Sequence, residues 1–243
     1  MLEQLSYLLI DADDTLWENN IYFEQAFHKF VQFLGHSSLQ PAEIRTILES
    51  MDRRTGYGSV SFTRSMIETY CCLAEREITE EDIRQVQSFG EQIIKHPITL
   101  LAGVQETLAA LSRHYDLVLL TKGDPNEQLF KVEHSGLESY FTRVIVVPEK
   151  DVQAYQHIVK MMHLDPSRTW MIGNSPRSDI NPALAAGLNA IFIPHPHTWH
   201  LEDEEILTTS SGRILTFESF TYLRAFFLQA IPTAPLRTCA QIR

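Results

Sequence analysis

The feature that most limits how this chain can fold is a set of short, uninterrupted apolar runs at residues 7–10, 117–120, 144–147, 170–172 and 190–193. A strand with one wet face alternates apolar and polar residues, whereas a strand covered on both faces is apolar throughout, as in a parallel sheet sandwiched by helices. From Leu101 onward the runs alternate with segments of helical period, which is the pattern of βαβ units. Asp124-Pro125, Asp165-Pro166 and Asn181-Pro182 each set a capping residue before a proline, and Gly136 and Gly187 stand where helix C-terminal caps are expected. The fold class that follows is α/β, with a doubly wound, mostly parallel sheet.

Residues 18–97 break that alternation. Period and caps predict amphipathic helices at roughly 20–35, 41–54, 62–76 and 79–95, with Thr79 and Asp82 as a capping-box variant and Pro97 at the exit. Phe23, Phe27, Phe30 and Phe33 recur at helical spacing and suit packing. The expected division is an α/β core over 1–16 and 98–243 and an inserted all-helical cap over 17–97. Such an insert, following the first strand, stands over the sheet end where open α/β folds bind ligands. The terminal stretch "FTYLRAFFLQA" is expected to be a docking helix.

The first run ends in Asp11, Asp13 and Asp14, three carboxylates within four positions. Mutual repulsion raises their pKa values and costs stability unless a cation sits among them. The other runs end in Thr121, Lys122 and Gly123, in Lys150, and in Gly173, Asn174, Ser175 and Asp179. In a parallel sheet these turns share one edge, and together they hold the parts of phosphoryl transfer. One carboxylate can attack phosphorus and a second can move protons. An oxygen-bound Mg²⁺ would neutralise charge, and lysine, hydroxyl and backbone N–H groups would hold the equatorial oxygens.

"DADDTL" resembles the DxDxT signature of the haloacid dehalogenase superfamily, and the later motifs arrive in that family's order. The resemblance covers about 6–16 and 98–200, and the helical insert is similar to the family's C1-type cap. It implies Asp11 as nucleophile and metal ligand, and Asp13 as general acid/base whose carbonyl also meets the metal. It further implies Thr121 as phosphoryl-binding residue, aided by the backbone around Lys122 and Gly123, Lys150 as the lysine joining nucleophile and phosphate, and Asp179 as acidic metal ligand. Thr15 would support the turn. The implied cofactor is Mg²⁺, with Mn²⁺ equally suited to such a site.

Two positions depart from the family pattern. Asn174 stands where an aspartate is usual, keeping an oxygen but losing a charge, so its contribution to the metal would run through water or hydrogen bonds. Asp151 follows Lys150 where a proline is usual. Lys131 is the rival for the lysine role, but it falls mid-helix, away from a strand end. Asp14, at the motif's variable position, is expected to be a surface or capping residue. In the segment "DRRTGYGSVSF", Arg53, Arg54 and Tyr57 are placed to contact a leaving group or a second phosphate, or else are solvated.

The net charge of −11, without clustered Lys and Arg, argues against a nucleic-acid partner. The apolar run near the N-terminus is too short for a signal peptide or membrane span. Cys71, Cys72 and Cys239 form neither a disulfide framework nor a zinc spacing, which points to packing cysteines in a reducing, cytoplasmic setting. "PHPHTWH" brings His195, His197 and His200 together, but two prolines and the lack of a nearby carboxylate or Cys favour a loop at the site's mouth over a zinc centre. The resulting expectation is a Mg²⁺-dependent phosphatase acting on a small phosphate ester, as a monomer or homodimer. A phosphomutase or 2-haloacid dehalogenase of the same superfamily, or a non-catalytic phosphate-binding module, are the alternatives.

Overall fold

The computed structural model describes residues 7–207 and 212–229, without the side chains of residues 52–55. Strands β1 (Tyr7–Ile10), β2 (Asp116–Lys122), β3 (Arg143–Val147), β4 (Trp170–Gly173), β5 (Asn189–Phe192) and β6 (Ile214–Thr216) form one sheet in the order β3-β2-β1-β4-β5-β6, with every neighbouring pair parallel.

The apolar runs are continuous because both faces are covered. Leu8 and Ile10 point into a core completed by α5 (Val104–Leu111), α6 (Pro125–Ser135) and α9 (Tyr222–Gln229). Leu9 points the other way, against Tyr155 and Ile158 of α7 (Val152–Met161) and Ala183 of α8 (Asn181–Ala185). The C-terminal segment docks as expected: Tyr115 Oη donates to the Phe227 carbonyl at 2.8 Å, and Phe226 and Phe227 meet Trp170 edge-on.

β6 has no counterpart among the predicted runs. It is a three-residue edge strand whose residues are half-exposed or exposed, so it carries no buried apolar signature. Two proline signals also resolve differently. Asp165 caps only a single 3₁₀ turn, and Asn181 is itself the first residue of α8, its side chain tied to the Glu205 carbonyl and the Leu207 N–H.

The segment after β1 forms α1 (Asn20–Leu34), α2 (Pro41–Thr55), α3 (Ser59–Leu73) and α4 (Glu80–Lys95), packed around their own core of Phe27, Phe30, Leu48, Met66, Tyr70 and Val86. Helix α4 starts in a complete Thr79–Asp82 capping box. Helix α3 starts three residues before the expected position, at Ser59. Gly58, at φ +102°, turns the chain, and the cap comes from the core: Glu127 of α6 accepts from the Ser59 N–H and hydroxyl, both at 2.8 Å. A partner 68 residues away leaves no local signal. Cys71 and Cys72 are exposed on α3 rather than packed, because Met66 and Tyr70 take its inward face. Cys239 lies outside the described residues. Among the described residues no helix is long and apolar enough to cross a membrane.

Candidate active site

Register levels the strand ends. Ile10 pairs with Leu119 on one side and Ile172 on the other, so Asp11, Thr121 and Asn174 emerge at one edge. Asp11 is 6% exposed, and its Oδ2 accepts from the Thr15 hydroxyl at 2.9 Å. Lys150, at the end of the loop after β3, places its ammonium between Asp11 Oδ1 and Asp179 Oδ1, the latter at 2.8 Å. Burial and the Asp179 charge push the Asp11 carboxyl up to about 7 against the pull of Lys150. Burial opposes the charge on Lys150, but its two carboxylate partners hold its pKa above the ordinary lysine value. Asp151, the residue in place of the usual proline, caps α7 by accepting from the Ala154 N–H.

Asp179 sits in one π-helical turn, Pro176–Ile180, in which the Asp179 and Ile180 N–H groups both donate to the Ser175 carbonyl. Its Oδ2 accepts from the Ser175 N–H at 3.0 Å. A Cβ at Gly173 would stand 2.2 Å from that Oδ2, so only glycine lets the carboxylate come this close to β4.

Asp13 is held from several sides. Lys131 Nζ donates to its two oxygens at 2.9 and 2.7 Å, Gln128 Nε2 at 3.0 Å and Trp17 Nε1 at 2.7 Å. Burial raises its pKa, but the Lys131 charge and these hydrogen bonds outweigh that and hold it below the ordinary value. Lys131 is thus not a remote mid-helix lysine. Because α6 begins at the sheet edge, Gln128 and Lys131, three residues apart, present one face to the site. That spacing after the Asp124-Pro125 cap is the signal in the sequence for both residues.

The predicted phosphate-binding residues fare unevenly. Thr121 is buried at the edge and donates to Gln128 Oε1 at 3.1 Å. Gly123, at φ +132°, donates its N–H to the Val147 carbonyl. The Lys122 ammonium is 2.6 Å from Glu202 Oε1 and 2.9 Å from Ser178 Oγ, and lies over the Tyr57 ring. Burial works against its charge, yet Glu202 leaves its pKa raised. Tyr57 donates to Glu149 Oε2 at 2.6 Å, so Tyr57 and Lys122 join the helical unit to the core. The side chains of Arg53 and Arg54 lie outside the described residues. Glu202, far from any motif, was not legible in the sequence.

The Asn174 amide lies 3.2 Å from Thr15 Oγ1 and 2.8 Å from Thr198 Oγ1. Its inward amide atom is 3.3 Å from both Asp11 Oδ2 and the Asp13 carbonyl oxygen. With nitrogen inward, the amide donates to those oxygens. With oxygen inward, it faces two oxygens at a spacing close to the ~3.0 Å that separates neighbouring ligands of a small octahedral cation bound at 2.0–2.1 Å. This donor set suits a hard divalent ion.

Of its two expected roles, surface or capping, Asp14 takes the second, away from solvent. It is buried at φ +58° and accepts from the Asn19 and Asn20 N–H groups, capping α1. Burial, opposed by those N–H groups, raises its pKa to about 7. The histidine stretch differs from expectation, since carboxylates do stand beside it. His195 lies 3.3 Å from Glu18 Oε2 and 3.7 Å from Asp14 Oδ1, and its Nδ1 accepts from the His197 N–H. Those three residues could hold a cation by proximity, but the ring's Nδ1 already accepts from the His197 N–H, and His200 lies elsewhere, against Glu49. A cavity of about 180 Å³ runs from Asp11, Thr121 and Lys150 up to Phe23, Glu49 and Trp199.

A parallel sheet with acidic and basic side chains gathered at one edge, beneath a helical insert after the first strand, defines a class of hydrolases. The haloacid dehalogenase-like hydrolase family model matches residues 6–187, and the chain belongs to that family. In structure it resembles a haloacid dehalogenase-like family hydrolase from Xanthomonas campestris, with 34% identity, a TM-score of 0.80, and coverage of 93% of this chain and 95% of that one. It is 31% identical over 98 residues to N-acylneuraminate-9-phosphatase of Rattus norvegicus, covering 38% of this chain and 40% of that enzyme. It is 23% identical over 180 residues to phosphoserine phosphatase of Thermus thermophilus, covering 71% of this chain and 70% of that enzyme. The chain thus aligns with only about two fifths of the length of the rat enzyme.

Proposed function

We propose that this hydrolase is a Mg²⁺-dependent phosphatase of a small phosphorylated metabolite, with helices α1–α4 as its cap. The observation that carries this reading is the pair of carboxylates facing one cavity in different settings: Asp11 against Lys150 and Asp179, and Asp13 against Lys131, Gln128 and Trp17. Displacement at carbon would not need the second carboxylate, whereas phosphoryl transfer to water uses it twice. The names of the relatives, both phosphatases, point the same way.

In the proposed reaction the negative charge of the bound phosphate favours protonation of Asp13, which is ionised beside Lys131 in the free site. An Asp11 oxygen attacks phosphorus, the bond to the ester oxygen breaks, and Asp13 gives its proton to the departing alkoxide. Water then attacks the aspartyl-phosphate, Asp13 takes the water's proton, and the Asp11–phosphorus link breaks to release inorganic phosphate. Lys150 and Thr121 hold the phosphoryl oxygens. Asp11, the Asp13 carbonyl, Asp179 and, directly or through water, Asn174 would hold Mg²⁺, which when bound neutralises the phosphoryl charge.

Hydrolysis of p-nitrophenyl phosphate and a panel of metabolite phosphates, with and without Mg²⁺, tests this. Wild type is expected to turn over in a metal-dependent way, with Asp11→Asn slower by about 10³-fold or more. Equal rates in the folded variant, or no phosphate cleaved by wild type, would overturn the reading.

A further inference from the structure

The part of the cavity away from the reacting carboxylates has a composition of its own. Phe23 and Phe62, packed edge to face at 5.2 Å, stand there with Leu48. Its one arginine among the described residues is already used: Arg45 donates to both oxygens of Glu24, at 2.9 and 2.6 Å, and stacks over Phe27. Lys122 is likewise held by Glu202, Ser178 and Glu149. Glu49 differs. It lines the cavity; its Oε2 is 3.3 Å from Nε2 of the half-exposed His200, and its Oε1 is buried with no hydrogen-bond partner among the described residues.

A buried carboxylate oxygen without a donor is costly, and the group that relieves it best is a cation that also donates a hydrogen bond. A second phosphate or a carboxylate on the leaving group would instead meet the Glu49 charge, with no spare cation among the described residues to offset it. We propose that the substrate is a phosphomonoester whose leaving group carries a protonated amine on a short hydrocarbon body. The amine donates to Glu49 Oε1, and the hydrocarbon lies on Phe23, Phe62 and Leu48. The whole cavity, phosphate end included, is about 180 Å³, below the usual range for drug-sized ligands, so the leaving group it suits is small. This rests on the phosphatase reading above and narrows it to a substrate class.

The test is kcat/KM for two matched pairs, 2-aminoethyl phosphate against 2-hydroxyethyl phosphate and 3-aminopropyl phosphate against 3-hydroxypropyl phosphate, with p-nitrophenyl phosphate as reference. At least one amine is expected to be preferred about tenfold or more over its hydroxyl partner. Glu49→Gln is expected to erase that preference and Glu49→Asp to keep part of it. The ratio of two substrates on one enzyme sample does not depend on the folded fraction, so a poorly folding variant still reports. Turnover of p-nitrophenyl phosphate without an amine preference in either pair, or a preference that survives Glu49→Gln, would overturn the amine proposal while leaving the phosphatase standing. No turnover of any ester, the reference included, would overturn both.

Discussion

At the scale of single residues, the two lysines of the site have separate charges to manage. Lys150 serves Asp11 and Asp179, while Lys131 serves Asp13 alone. Replacing Lys131 by Met removes the charge that holds the Asp13 carboxyl down, so its pKa rises. Asp13 meets the leaving group in its protonated form, so the alkaline limb of the pH–rate profile for kcat/KM is expected to move to higher pH; an unmoved limb would show that Lys131 does not set that proton. Gly173→Ala is expected to displace Asp179 and lower stability by about 1–3 kcal/mol, read by thermal denaturation. Asp11, Thr121, Asn174 and their neighbours could be found because each follows an apolar run directly. Lys131 required the phase of a helix whose start was known, and Glu49 required the packing of one helix over a distant sheet edge, which no local pattern encodes.

At the scale of elements, the caps show what a sequence can and cannot disclose. Thr79 and Asp82 lie three residues apart, and their mutual cap was visible; the cap on α3 comes from Glu127 across the fold and was not. Asp82 also pairs with Arg76, whose hydrogen bonds, followed by that from the Thr79 N–H, hold its carboxyl well below the ordinary range. A depressed folded pKa contributes stability that is present above the unfolded value, about 3.9, and is lost as the pH falls from there through the folded one. Asp82→Asn is therefore expected to lower the thermal midpoint at pH 7, with the gap from wild type narrowing steadily below about pH 4. A gap independent of pH would assign the effect to shape rather than charge. The sheet was legible strand by strand except at β6, where a strand half-open to solvent is not written in apolar residues.

At the scale of the whole molecule, an acidic chain gathers three more carboxylates at the end of β1 and, among the described residues, sets two lysines directly against the pair that faces the reaction. A divalent ion that binds the folded state alone adds about 2.7 kcal/mol at a hundredfold excess over its Kd. For a chain of this size that raises the thermal midpoint by roughly 5–10 °C. Mg²⁺ is expected to produce such a rise in wild type and little of it in Asp179→Asn; equal shifts would place the ion elsewhere. The position of β1 between β2 and β4 also governs how the molecule is made. The strand that carries Asp11 is synthesised more than a hundred residues before β2 and longer still before β4. Helices α1–α4, whose apolar core comes entirely from their own stretch of chain, can pack as they leave the ribosome, while β1 waits unpaired on their N-terminal side. Assembly of the carboxylate cluster is thus deferred until translation has passed β4, so a nascent chain stopped short of that point holds a formed helical unit and no reactive edge.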